Sequence, residues 1–227
     1  MPKIRPFEEN VERYEEWFDR FHLAYESELG AIRALMPEGG EGLEVGVGTG
    51  RFAGPLGVRS GVEPSPAMGR LAVGRGVEVR FGVAEDLPFE DSRFDYLLLV
   101  VALCFLDDVY LAFREAYRVL RPRGHMLIGF IDRISPLGKM YEKIREENVF
   151  YREATFFSTD EVIFYLSQAG FGEFEFRQTI FQHPAEMKKT ERVKPGYGEG
   201  SFVVVRGEKL IHSPTEGIRS TVYSGGA

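Results

Sequence analysis

Apolar residues recur at helical spacing along the first part of the chain. Between Val11 and Leu35 they lie three or four residues apart, which is the period of one face of an α-helix. Pro37 and three nearby glycines follow, and such residues are typical of positions where a helix has ended. The pattern therefore predicts one or two amphipathic helices, in an N-terminal helical lid segment of residues 1–36.

After residue 42 the pattern changes to short apolar runs separated by turns and helices. The runs predict five strands, at residues 43–47, 58–63, 77–83, 94–101 and 125–131. The fourth run is apolar on both faces, as a central parallel strand must be. Helices are predicted at residues 51–56 and 64–73, and a third is capped by Asp107 or Asp108 and ended by Pro122 and Gly124.

The pattern is less regular after the fifth strand. Residues 132–157 form an excursion rich in charge and aromatics that contains a helix. Ser158 and Glu161 have the spacing of a capping box, and Gly170 stops the helix that it opens. Strands at 173–182 and 201–208 have no helix between them, which predicts an antiparallel pair. Residues 210–227 show no periodicity and are expected to be a mobile tail.

Alternation of strands and helices predicts an α/β fold. A mostly parallel sheet covered by helices on both faces, a Rossmann-like three-layer sandwich, follows from that order. The domain built on this sheet would occupy residues 37–209 and include the excursion at 132–157.

Composition narrows the possible partners. The chain has 227 residues, a net charge of −7 and one cysteine, Cys104, so a disulfide-stapled fold is excluded and a reducing cytoplasm is expected. The negative charge argues against a nucleic-acid partner, and no apolar run approaches the ~20 residues that span a membrane. Few Asn and Gln beside 28% charged residues are typical of a thermophile protein.

Three glycines mark the end of the first predicted strand. Gly46, Gly48 and Gly50 stand where the strand turns into a helix, so the backbone there approaches a bound nucleotide closely. The same turn also satisfies the G-x-G-x-x-A dinucleotide fingerprint. Charge favours S-adenosylmethionine over a dinucleotide as the ligand of this turn. Glu44 would repel the pyrophosphate of a dinucleotide but attract the ammonium and sulfonium of S-adenosylmethionine.

Two further elements follow the second and third strands. Glu63 ends the second strand, where a carboxylate can accept hydrogen bonds from both ribose hydroxyls of either cofactor. Ala84 and Glu85 follow the third strand and are placed to meet an adenine edge.

These elements occur together in one known family. In order along the chain stand the glycine turn, Gly-Val-Glu-Pro-Ser at 61–65, residues 84–89, Phe94-Asp95, and Glu-Ala-Tyr-Arg-Val-Leu-Arg-Pro-Arg-Gly at 115–124. The sequence resembles class I S-adenosylmethionine-dependent methyltransferases, in the small-molecule branch that includes quinone-biosynthesis methyltransferases. The resemblance implies a seven-stranded sheet with one antiparallel strand.

The resemblance also implies a cofactor site. The methionine part would lie against Glu44, the Gly46–Gly48 backbone and the main chain of two residues that end the fourth strand, and the ribose would lie against Glu63. The residues expected to bind S-adenosylmethionine are Tyr14, Trp17, Glu44, Gly46, Gly48, Glu63, Pro64, Ser65, Ala84, Glu85, Val100 and Val101. No metal is expected.

The acceptor side is less defined. Many relatives carry two histidines after the fourth strand, where this chain has Cys104 and Phe105, which removes an obvious general base. Methyl transfer from a sulfonium is a direct displacement, so alignment in a dry pocket suffices. The candidate substrate residues are Phe105, Tyr141, His183, Tyr197 and Glu199, with Phe150 and Tyr151 beside them.

Missing motifs leave a small molecule as the expected methyl acceptor. The chain has Val-Ala-Leu-Cys at 101–104, and neither the Pro-Pro-aromatic run of nucleobase-amine enzymes nor a Pro-Cys nucleophile. Two alternatives stay open: a non-catalytic protein that binds S-adenosylmethionine or S-adenosylhomocysteine, and an NAD-dependent oxidoreductase. Oligomeric state and acceptor atom do not follow from these residues.

Overall fold

The computed structural model describes residues 4–211. It begins with three consecutive helices, α1 (Arg5–Glu9), α2 (Val11–Arg20) and α3 (His22–Arg33). Helices α2 and α3 lie where apolar periodicity predicted one or two helices, and α1 precedes them as one more than the sequence indicated. The predicted tail lies almost entirely outside the described residues.

Alternating strands and helices make up the next part of the chain, as predicted. Their bounds are β1 (Gly42–Val45), α4 (Ala53–Leu56), β2 (Ser60–Val62), α5 (Pro66–Gly74), β3 (Glu78–Arg80), β4 (Phe94–Val100), α6 (Val109–Val119) and β5 (Leu120–Ile131). The excursion contains α7 (Pro136–Lys143), and the chain continues with α8 (Thr159–Ala169), β6 (Phe171–Thr179), β7 (Lys194–Pro195) and β8 (Phe202–Lys209).

One mixed sheet holds all these strands, in the order β3-β2-β1-β4-β5-β8-β6-β7. The pairs among the first five strands are parallel, and β8 runs antiparallel to both β5 and β6, as the missing helix between β6 and β8 predicted. The expected count of seven strands is wrong by one, because two residues of the long loop, Lys194 and Pro195, pair with β6.

Side chains of the central strands alternate between two apolar cores. In β4, Leu97 and Leu99 pack with α6 and α8, whereas Leu98 and Val100 pack with the helices of the opposite face. This alternation explains why the strand is apolar on both faces. Within the described residues, no helix is both long and apolar enough to cross a membrane.

Two predicted helix caps are present. Asp108 accepts a hydrogen bond from the Leu111 N–H at 2.9 Å, and Ser158 and Glu161 form the reciprocal capping box at the start of α8. Gly170 ends α8 in the left-handed conformation. These local signals fix where the helices start and stop.

Parallel strand order places a candidate site at one edge of the sheet. After β1 the chain builds outward to β2 and β3, and then returns to β4 on the other side of β1. The carboxyl ends of β1, β2 and β4 therefore flank the point where the order reverses, which is where open α/β sheets bind ligands.

Candidate functional site

The turn after β1 requires glycine. Gly46 and Gly48 have φ of +67° and +56°. A Cβ on Gly46 would lie 2.7 Å from the Cβ of Ala102, and one on Gly48 would lie 3.3 Å from the hydroxyl of Tyr14. Only a residue without a side chain keeps the backbone this close to its neighbours.

Glu63 connects that turn to the one after β2. Its side chain is buried, and it accepts hydrogen bonds from the N–H groups of Gly48 (2.8 Å) and Ser65 (2.9 Å). Burial raises the pKa of Glu63 to about 7, although the two backbone N–H groups oppose the rise. The carboxylate is thus held at the carboxyl end of β2, between the glycine turn and α5.

Glu44 is buried more deeply. It is 1% exposed, and its Oε2 has no hydrogen-bond partner among the described residues. Burial raises the pKa of Glu44 well above its usual range; the backbone of Ala53 opposes the rise, and the nearby charge of Glu63 adds to it. Two buried acids therefore lie at adjacent strands, and neither forms an ion pair with a cation of residues 4–211.

A cavity of about 570 Å³ opens beside these turns. That volume is in the usual range of ~300–1,000 Å³ for small-molecule sites. The cavity lies at the ends of β1, β2, β4 and β5, and α2, α3 and the excursion complete its wall. The predicted site residues that line it are Tyr14, Trp17, Gly46, Gly48, Glu63, Pro64, Ala84, Glu85, Val100, Val101, Phe105, Tyr141 and His183.

Two residues predicted to bind the cofactor, Glu44 and Ser65, lie behind the lining. Ser65 is fully buried and caps α5 by accepting a hydrogen bond from the Met68 N–H at 3.2 Å. Its hydroxyl donates to Glu8 of α1, which also accepts from the Ala67 N–H at 3.1 Å. Glu8 therefore holds α1 against the start of α5, a role that the sequence pattern did not indicate.

Two predicted substrate residues, Tyr197 and Glu199, do not line the cavity. The Tyr197 hydroxyl is 3.1 Å from a carboxylate oxygen of Asp160, and Glu199 forms an exposed ion pair with Lys194. The side-chain oxygen of Gln178 accepts from the Glu199 and Gly200 N–H groups at 2.8 and 2.7 Å. These bonds tie the loop to the end of β6, and neither Tyr197 nor Glu199 lines the cavity.

Glu85 and Val101 line the cavity at the loops that follow β3 and β4. The Glu85 carboxylate accepts hydrogen bonds from the N–H groups of Asp107 (2.8 Å) and Asp108 (3.1 Å), which holds the loop after β3 against the start of α6. Val101 has φ +55°, a costly conformation for a β-branched residue. Its N–H still donates to Gly129 O at 2.8 Å, so strain is concentrated where β4 meets the cavity.

The N-terminal helices close over the cavity through an ion-pair cluster. Glu15 of α2 pairs with Arg51 (2.6 Å) and Arg75 (2.5 Å), which lie on either side of the glycine turn. Burial raises the pKa of Glu15, but its bonds with these arginines and with Thr49 outweigh that effect and lower it. The cluster ties α2 to the turn after β1.

Aromatic rings form the wall opposite the strand ends. Tyr151 lies 4.9 Å from Tyr141 and 5.5 Å from Phe156, measured between ring centroids. Phe7 of α1 lies 4.8 Å from Phe105 and 5.3 Å from Phe150, so the N-terminal segment and the excursion contact each other across the opening.

Glu28 of α3 also lines the cavity and was not singled out from the sequence. It is 4% exposed, and its Oε2 has no hydrogen-bond partner within residues 4–211. Burial raises its pKa to about 8. A signal was available, because Glu28 interrupts the apolar face of its helix between Tyr25 and Ile32.

Comparison with known proteins identifies the fold's relatives. A protein-family model described as a methyltransferase domain matches residues 43–128. A crystal structure from Thermotoga maritima, described as an S-adenosylmethionine-dependent methyltransferase and possible histamine N-methyltransferase, is 51% identical in sequence. It superposes with a TM-score of 0.89, covering 91% of this chain and 99% of that one.

Sequence relatives extend the comparison. An uncharacterised protein of Methanocaldococcus jannaschii is 44% identical over 90% of this chain and 98% of its own length. A demethylmenaquinone methyltransferase of Staphylococcus aureus is 29% identical over 52% of this chain and 61% of its own length.

Replacing Glu28 by Gln is expected to stabilise the protein without ligand, increasingly so as pH rises. The unfolded carboxyl group loses its proton near pH 4.5, whereas the folded one keeps it to about pH 8. Below pH 4.5 the group is protonated in both states, and the protein keeps all the stability that this proton contributes. As the pH rises from 4.5 to about 8, the wild-type protein loses that stability at ~1.4 kcal/mol for each pH unit. Chemical denaturation at pH 5, 6.5 and 8 measures the difference, which should reach a few kcal/mol.

Glu26→Gln is the matched control, because it makes the same change at an exposed position of the same helix. It should show no comparable gain. A Glu28→Gln protein that is less stable than the wild type at pH 8 would mean that Glu28 has a stabilising partner.

Proposed function

The chain belongs to the class I S-adenosylmethionine-dependent methyltransferases, and on that premise we propose that it methylates a small molecule bound in this cavity, by direct displacement. The observation that carries the proposal is the combination of the glycine turn, the Glu63 carboxylate and a cavity with an aromatic wall beside them. When bound, S-adenosylmethionine supplies a methyl group on a sulfonium centre.

The residues present fit this cofactor. The glycine turn leaves a cradle that a Cβ would fill, and Glu44 and Glu63 are buried with no cationic partner in the described part of the chain. The arginines lining the cavity, Arg13 and Arg20, are exposed. An electronegative interior attracts cations and disfavours a pyrophosphate. This charge pattern supports S-adenosylmethionine over NAD.

We assign the parts of the cofactor by position. The backbone at Gly46 and Gly48, with the main chain of Val100 and Val101, would hold the methionine part. Glu63 would accept hydrogen bonds from the ribose hydroxyls. Ala84 and the backbone of Glu85 would face the adenine, because the Glu85 carboxylate is already bonded to the start of α6.

The chain's contribution to the reaction is alignment and exclusion of water. Phe105, Tyr141 and Tyr151 present apolar surface to the acceptor, and α1 and α2 close the opening. A dry pocket that fixes the acceptor in line with the methyl group removes most of the entropic cost of a bimolecular step. No protein nucleophile is needed.

Cys104 lies apart from the main cavity. Its sulfur is 3.8 Å from Val101 O, and the residue lines a second, small cavity with Phe130 and Phe156. Packing is therefore its proposed role.

Methyl transfer from radiolabelled S-adenosylmethionine to a panel of small molecules, including histamine, tests the proposal. A labelled product is expected for at least one acceptor. Tight cofactor binding with no turnover on any acceptor would favour a binding protein.

Cys104→Ala should keep turnover within about tenfold of the wild type, because displacement needs no covalent intermediate. A thousandfold loss of turnover in folded Cys104→Ala would favour a covalent route.

Glu63→Ala should weaken S-adenosylhomocysteine binding by ~1.5–3 kcal/mol, the range for hydrogen bonds to a charged group. Glu63→Gln, which keeps an acceptor oxygen for only one of the two backbone N–H groups, should show a smaller loss than the Ala variant. Isothermal titration calorimetry measures both, with the exposed strand residue Glu78→Ala as control. Wild-type affinity in a folded Glu63→Ala protein would refute the ribose assignment.

We also propose that α1, α2 and residues 132–157 act together as a lid. Phe7 joins them, because its ring contacts Phe105 and Phe150. S-adenosylhomocysteine should slow hydrogen exchange in both segments, and Phe7→Ala should reduce that protection. Phe164→Ala, a change at an exposed phenylalanine on α8, should not. Unchanged exchange in both segments at saturating ligand would exclude the lid.

A further inference from the structure

Glu28 lies on the acceptor side of the cavity. Burial raises the pKa of Tyr141, and the charge of Glu28 adds to the rise. Burial also raises the pKa of Tyr151, where Glu28 adds to the rise after Tyr141 and Cys104. Glu28 acts on Tyr14 in the same way, but after burial and the larger effects of Glu63 and Glu44. Glu28, Tyr141 and Tyr151 line the same cavity, and both tyrosines lie within electrostatic range of Glu28.

No cation of the described chain neutralises this carboxylate. Burial is the cause of its raised pKa, and no ion pair or side-chain hydrogen bond to Glu28 is present in residues 4–211. Within the same residues, His, Cys, Asp and Glu side chains form no group of three or more that could hold a metal ion. A buried acid without a partner is costly, so its presence in a cavity wall points to a ligand that supplies the missing charge.

The aromatic rings that line the cavity with Glu28 also suit a positively charged ligand. Tyr141 and Tyr151 are 4.9 Å apart between centroids, and Phe105 stacks on Tyr151 at 6.3 Å. Aromatic faces attract ammonium groups through their quadrupoles and give apolar bodies a surface to pack on. A carboxylate and an aromatic wall together recognise an organic cation.

We propose that the methyl acceptor is a small organic amine with an apolar body, held by an ion pair between its protonated nitrogen and the Glu28 carboxylate. The inference rests on the proposed function, because it names the substrate class of that same site. An anionic acceptor would oppose ionisation of Glu28 and Glu63, and an alcohol supplies no positive charge to stabilise the ionised form of Glu28. An amine with an apolar body suits both the Glu28 carboxylate and the aromatic wall.

Three series of probes test the amine class directly. Each carries the same apolar body (benzyl, 2-phenylethyl or cyclohexylmethyl) and ends in an amine, an alcohol or a carboxylate. They are titrated by calorimetry into the protein saturated with S-adenosylhomocysteine, near pH 7.5, where simple alkylamines are protonated as lysine is. At least one amine should bind about tenfold or more tighter than its matching alcohol, and the carboxylates should bind weakest.

The Glu28→Gln variant identifies the residue responsible. It should reduce the preference for amine over alcohol to within about threefold, while its affinity for S-adenosylhomocysteine stays within about threefold of wild type. Glu26→Gln should keep the preference. An unchanged amine preference in folded Glu28→Gln would overturn the assignment of Glu28.

The wild-type comparison is decisive on its own, even if a variant does not fold. Alcohols or carboxylates that bind as tightly as the amines, or amines that all fail to bind a protein that binds S-adenosylhomocysteine, would refute the amine class and leave the proposed function intact. Failure to bind S-adenosylhomocysteine at all would instead refute the proposed function.

Discussion

The Glu63 carboxylate accepts hydrogen bonds from one backbone N–H in each of the two turns that follow β1 and β2. Because the strands are parallel neighbours, this single side chain fixes the glycine turn relative to the start of α5. The other parts of the site depend on that arrangement. Ser65 caps α5, Glu8 anchors α1 to it, and α1 then reaches Phe105 and Phe150 across the opening.

In the proposed function, the selectivity of the cavity comes from buried acids that have no cationic partner within residues 4–211. Glu63 lines the cavity at the end of β2 with Glu44 behind it, and Glu28 lines the cavity from α3, so acidic side chains lie in two regions around one cavity. Each costs free energy in the empty protein, because burial disfavours its charged form. Cationic ligands recover that cost, which links the stability of the free protein to the charge of what it binds.

Local signals made much of this predictable from sequence. Glycines at a strand end, an acid at the next strand end and the caps at Asp108 and Ser158 act over a few residues, so pattern and chemistry suffice to find them. Glu28 was visible as a break in the apolar face of its helix. That it lacks a partner could not be predicted, because the residues around it include Tyr141 and Tyr151, more than a hundred positions along the chain. The placement of Tyr197 was not predictable, because Gln178 and the short β7 pairing turn its loop away from the cavity.

A crystal structure with bound S-adenosylhomocysteine will show whether acids divide the cavity into a cofactor side and an acceptor side. We expect the Glu63 carboxylate to lie within hydrogen-bond distance of the ribose hydroxyls. We also expect the sulfur to face a space bounded by Tyr14, Tyr141 and Glu28. A ligand whose ribose lies away from Glu63, or whose homocysteine fills the space beside Glu28, would contradict this division of the cavity.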